Sequence, residues 1–75
     1  MNNKVIGERI RKLRLLSEKT GIYMSTLLGI DQSYYSKIEG GKHEIKLETL
    51  YRIAELYNVS LDYLTGRTDN TEINR

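Results

Sequence analysis

At 75 residues, with no Cys and a formal net charge of +2, the chain has room for one small core. It excludes disulfide frameworks and thiolate metal sites. No apolar run nears the roughly 20 residues that span a bilayer, and charges interrupt the apolar positions of MNNKVIGERIRKL, so no signal-peptide core is present. These features predict a cytoplasmic protein with no metal, cofactor or membrane partner.

The absence of Pro and the placement of Gly at the edges of apolar-periodic segments predict an all-α domain with short connections. A first helix is expected over residues 4–17, with Ile6, Ile10, Leu13 and Leu16 at helical spacing. Thr20 can cap a second helix that buries Met24, Leu27 and Leu28 and stops at Gly29. Ile30 then enters the core, and Asp31 caps a third helix that runs to about Glu39 and ends on Gly40-Gly41. A loop over residues 42–46 leads to a fourth helix with Leu47, Leu50, Ile53, Ala54 and Tyr57 inward. Asn58 terminates it, Val59 returns to the core, and Ser60 caps a short fifth helix carrying Leu61 and Leu64 that ends near Gly66. The expected division is a domain over residues 1–66 and a polar, flexible tail over residues 67–75.

Charge is unevenly spread. Residues 1–20 hold Lys4, Arg9, Arg11, Lys12, Arg14 and Lys19 against Glu8 and Glu18, whereas the acidic residues prevail after residue 47. That suits a phosphate-facing end, and equally an ordinary solvated helix face. On the third helix, Tyr35 and Ile38 lie three apart and share a buried face. Gln32, Ser33, Ser36 and Lys37 are left as one exposed strip. An amide there can pair with an adenine edge, a hydroxyl with several bases, and an ammonium with guanine or a phosphate. Tyr23 and Tyr34 flank the strip and can touch a sugar-phosphate backbone. Packing explains Tyr35, Tyr51 and Tyr57 better than base stacking does.

The segments IGERIRKLR (residues 6–14), LLGIDQSYYSKIEGGK (residues 27–42) and LETLYRIAELYNVSLDYLTG (residues 47–66), with their spacing, resemble the phage-repressor-type helix-turn-helix proteins, the Cro/cI-like family. The resemblance covers roughly residues 5–66 without an insertion. It implies a compact five-helix, lambda-repressor-like domain that binds double-stranded DNA as a transcriptional regulator, a repressor above all, with the third helix in the major groove. It also implies base contacts from Gln32, Ser33 and Lys37, a lesser one from Ser36, and phosphate contacts near Lys42 and His43. Arg14 and Glu39 match a pair that joins the first and third helices in relatives; read alone they are two surface charges. A homodimer on two half-sites is expected, with Leu61, Tyr63 and Leu64 at its interface, although the same apolar groups can instead close the monomer core.

Two departures stand out. Gly21 replaces a phosphate-contacting Gln at the start of the second helix, and Gly40 replaces an Asn after the recognition-helix Glu. Without those two positioning groups, binding is predicted to be weak per monomer and strongly salt-dependent. The same departures motivate the alternative, a protein-interaction module such as an antitoxin or anti-repressor subunit with a protein partner. The only His is His43, and neither a P-loop nor a dinucleotide-type Gly pattern occurs, so an enzyme is not expected.

Overall fold

The computed structural model describes residues 2–73 and holds, among them, five helices and no strand. These are α1 (Asn3–Leu16), α2 (Gly21–Leu28), α3 (Gln32–Glu39), α4 (Leu47–Tyr57) and α5 (Leu61–Leu64). Met1, Asn74 and Arg75, which belong to the two segments expected above, lie outside the described residues.

Short polar side chains set where most of the helices begin. Asn2 Oδ1 accepts from the amides of Lys4 and Val5 at 3.1 and 3.2 Å. Thr20 Oγ1 accepts from Tyr23 at 3.0 Å, Asp31 Oδ2 from Ser33 at 3.0 Å, and Ser60 Oγ from Tyr63 at 2.9 Å. Each bond satisfies an amide that the first turn leaves without a carbonyl. At the other end, α2 stops at Gly29, whose left-handed φ of 67° turns the Ile30 amide onto Ser25 O at 3.0 Å. Asn58 closes α4 in the same way at φ 53°.

None of these helices is long enough to persist alone in water, so a shared apolar stripe must hold them. Ile6 and Ile10 of α1 meet Met24 and Leu28 of α2, Tyr35 and Ile38 of α3, Leu50, Ile53 and Ala54 of α4, and Val59, Tyr63 and Leu64. Ile45, in the loop before α4, also enters this cluster. Three residues expected inside lie outside: Leu16, Leu27 and Leu47 are exposed, as is Tyr51. Leu16 and Leu47 sit at helix ends beyond the reach of the core. Leu27 and Tyr51 lie one residue off the stripes centred on Met24–Leu28 and Leu50–Ala54. Leu15 is exposed as well. Lys19, just before α2, has its ammonium 5.0 Å from the Tyr23 ring centre.

Residues 67–73 have no helix or strand but run back against α1 and α5. Arg9 donates to the carbonyls of Tyr63 and Thr68 at 2.7 and 2.6 Å, reaches Asp69 at 2.8 Å, and lies over the Tyr63 ring. The Ser60 amide donates to Thr71 O at 3.0 Å. Arg52 of α4 donates to Leu28 O at 2.9 Å, capping carbonyls that α2 leaves open at its C-terminus.

Candidate nucleic-acid interface

With Tyr35 and Ile38 each 1% exposed, the orientation of α3 about its own axis is fixed. Gln32, Ser33, Ser36 and Lys37 consequently face solvent together. No carboxylate among the described residues lies within ion-pair distance of Lys37 or of the exposed Lys42. An amide, two hydroxyls and an uncompensated ammonium therefore project from a helix whose back is locked.

The lock has two parts. The first is close backbone packing: a Cβ built on Gly7 of α1 would lie 2.4 Å from Ile38 O and 2.5 Å from Glu39 O. Only glycine admits that approach, and it sets α1 against the C-terminal turn of α3. The second is a two-pronged ion pair between Arg14 and Glu39, with Nε to Oε2 at 2.6 Å and Nη2 to Oε1 at 2.9 Å. Both side chains are mostly buried, and the remaining Arg14 nitrogen donates to Lys19 O at 3.0 Å. The guanidinium thus joins the end of α1, the segment entering α2, and α3. The hydrogen bond that Arg14 donates to Glu39 raises the guanidinium pKa above its ordinary value, against the opposing effect of burial.

Beneath this pair sits the Tyr35 hydroxyl, buried with no hydrogen-bond partner among the described residues. Burial first, and the neighbouring Glu39 carboxylate second, hold the phenol protonated far above its ordinary range. The unfolded chain ionises this group near pH 10 and the folded chain does not. Above that pH the unfolded state has lost a proton that the native state retains, so stability falls as pH rises. Tyr35→Phe is expected to add about 1 kcal/mol at neutral pH by removing a stranded hydroxyl. It is also expected to flatten the alkaline decline; urea midpoints at neutral pH and above pH 10 measure both effects.

Other expected contact residues have structural partners. Tyr34 is half-buried, donates to Glu44 O at 3.3 Å and meets the His43 ring edge-on at 5.0 Å. His43 Nδ1 lies 2.9 Å from Glu44 O. Together they brace the loop that carries Lys42. Tyr23 is half-exposed at the start of α2, beneath Lys19. The two departures from the family pattern are not steric necessities: a Cβ on Gly21 meets only the Tyr35 ring at 3.9 Å, and one on Gly40 nothing nearer than 3.5 Å. At the far end, Leu64 is 0% and Tyr63 8% exposed, so both close the chain's own core. Of the three residues expected at a dimer surface, Leu61 alone reaches the surface in part. Among the described residues no group of acidic, His or Cys side chains is arranged to hold a metal. Among the same residues no helix is long and apolar enough to cross a membrane.

Sequence reasoning missed three residues that shape this site. Gly7 gave no turn signal, and Arg9 and Arg52 find partners far away in sequence. Only the presence of a Gly inside an otherwise good helix pattern hinted at the first of them.

Two short helices joined by a left-handed glycine, the second presenting polar side chains from a fixed mount, define a helix-turn-helix domain. The family model described as Helix-turn-helix matches residues 10–64, and the chain belongs to this family, of the Cro/cI type, whose members are transcriptional regulators that bind double-stranded DNA. It is 34% identical over 65 residues to the HTH-type transcriptional regulator YobD of Bacillus subtilis, covering 87% of this chain and 58% of YobD. It is 36% identical over 62 residues to RstR, the cryptic phage CTXphi transcriptional repressor of Vibrio cholerae, covering 83% of this chain and 55% of RstR. The chain therefore spans less than two thirds of the length of these relatives. The crystal structure of the restriction-modification controller protein C.AhdI from Aeromonas hydrophila shares the fold, with a TM-score of 0.73 and 24% identity over 83% of this chain and 94% of that one.

Proposed function

We propose that this chain is a sequence-specific repressor that places α3 in the major groove of double-stranded DNA. Gln32, Ser33, Ser36 and Lys37 read base edges in this reading, while Tyr23, Tyr34, Lys42 and His43 meet the flanking phosphates. The observation that carries it is the exposure of all four strip residues on a helix whose opposite face is fully buried. A reading head must be stiff to discriminate, since a helix free to roll would meet any base. One such helix spans few base pairs, so two copies on half-sites about 34 Å apart complete the proposal. Because Tyr63 and Leu64 are taken up by the core, the second copy is assigned to Leu61 with its exposed neighbours Tyr51 and Ile73, which line one groove with it. Residues 1–66 act as the DNA-binding unit and the following segment as its C-terminal strap, and the protein works in the cytoplasm without catalysis.

Selection of bound duplexes from random sequence tests the reading. A two-fold symmetric consensus is expected. Gln32→Ala should relax preference at one position of each half-site and weaken binding by about 1–3 kcal/mol, the range for removing a two-pronged hydrogen bond to a base. Lys37→Ala should weaken binding at a neighbouring position. Failure of the folded protein to enrich any sequence would overturn the proposal.

A further inference from the structure

We infer that the outer flank of α1 is a second phosphate-binding rail, on which Lys4, Arg11 and Lys12 follow the backbone of the duplex seated against α3. This rests on the DNA-binding reading above and adds a site to it. Residues 4, 8, 11 and 12 recur at helical spacing and so share one flank of α1. The close approach at Gly7 and the nesting of Gly41 on Lys4, where a Cβ would come within 2.8 Å of the Lys4 Cα, hold that flank level with the C-terminal half of α3. An open groove runs between the two helices, lined by Lys4, Arg11 and Lys12 on one side and by Ser36 and Gly40 on the other. Ser36 belongs both to the base-reading strip and to this groove, so a duplex resting on the strip passes its backbone along the rail.

The use α1 makes of its cations supports the same assignment. Arg9 and Arg14 are spent inside the molecule, on the tail and on Glu39. Lys4, Arg11 and Lys12 are exposed and, among the described residues, none of them has a carboxylate within ion-pair distance. Glu8 is the single acidic group on the flank, which leaves the groove net positive. Lys42, next to Gly41 where it nests on Lys4, continues the line of charge past α3. Such a rail supplies positioning that the glycines at 21 and 40 do not.

The test is the salt dependence of binding, for wild type, the Arg11→Gln/Lys12→Gln double variant and Arg67→Gln, on the selected duplex and on one of unrelated sequence. Removing one phosphate-binding cation should reduce the slope of log K against log salt by about 0.9, so the double variant should show a slope shallower by about 1.8. Its affinity should fall by the same factor on both duplexes, with the base preference and thermal midpoint unchanged. Arg67→Gln, which removes an exposed charge beyond α5, should leave the slope as it is. An unchanged slope in the double variant, when wild type binds its selected site, overturns the rail alone. An equal reduction per charge in Arg67→Gln also overturns it, since net charge would then be the cause. A wild type that binds neither duplex overturns the rail and the DNA-binding reading together.

Discussion

Gly7→Ala is expected to cost about 3 kcal/mol or more and to leave the domain largely unfolded at moderate urea. The added methyl would meet two backbone carbonyls, Ile38 O at 2.4 Å and Glu39 O at 2.5 Å, and neither can rotate away as a side-chain tip could. Relief requires α1 and α3 to separate, which opens the stripe that buries Ile6, Ile10, Tyr35 and Ile38. Overpacking a core usually costs about 1–3 kcal/mol, and a clash with backbone on both sides belongs at the upper end. Small domains have roughly 5 kcal/mol to lose. Gly40→Ala is the contrasting case. Gly40 has an ordinary helical φ of −76° and a Cβ there stays at ordinary packing distance, so alanine should be neutral or gain about 0.5 kcal/mol through the unfolded state. Urea midpoints for the two variants measure the difference; equal midpoints would mean that α1 and α3 do not touch at Gly7.

The contrast also shows which parts of the molecule were legible in the sequence. Helix starts and stops were, because the groups that make them are local: Thr20, Asp31 and Ser60 cap the turn that follows, and Gly29 and Asn58 take left-handed conformations. The exposed strip was legible for the same reason, since burying Tyr35 and Ile38 leaves residues 32, 33, 36 and 37 nowhere else to point. Periodicity does not say where a stripe ends. It draws Leu47, Leu27 and Leu16 inward although no facing helix reaches them. Nor does it name partners. Tyr63 and Leu64 suit a dimer face and the monomer core equally well by pattern; in the fold both are buried, and Arg9 lies over the Tyr63 ring. The polar bonds of Arg9 and Arg52 join residues far apart in sequence, and nothing near either residue specifies them.

Arg14 and Glu39 are a long-range pair of the same kind, and separating them should expose what the mount of α3 is for. Arg14→Met or Glu39→Leu alone leaves one charge mostly buried beside the Tyr35 hydroxyl without its counter-charge. Each single change is expected to cost about 3–5 kcal/mol, much of it the penalty of the stranded partner. The double variant removes both charges and should recover most of that stability, giving a coupling of several kcal/mol in a double-mutant cycle. The pair's contribution should be flat with pH as far as Arg14 is concerned. Its folded pKa is raised above the ordinary guanidinium value by the hydrogen bond to Glu39, so the cation is present throughout the neutral range and is lost only in strong alkali. DNA affinity should not follow stability. An apolar pair restores burial but neither the fixed spacing of two parallel hydrogen bonds nor the bond to Lys19 O, so α3 can shift against α1 and α2. The double variant is therefore expected to fold like wild type and still to bind its selected duplex at least tenfold more weakly. Full recovery of both properties would make the pair a filler of space; recovery of folding alone would make it the part that aims the reading head.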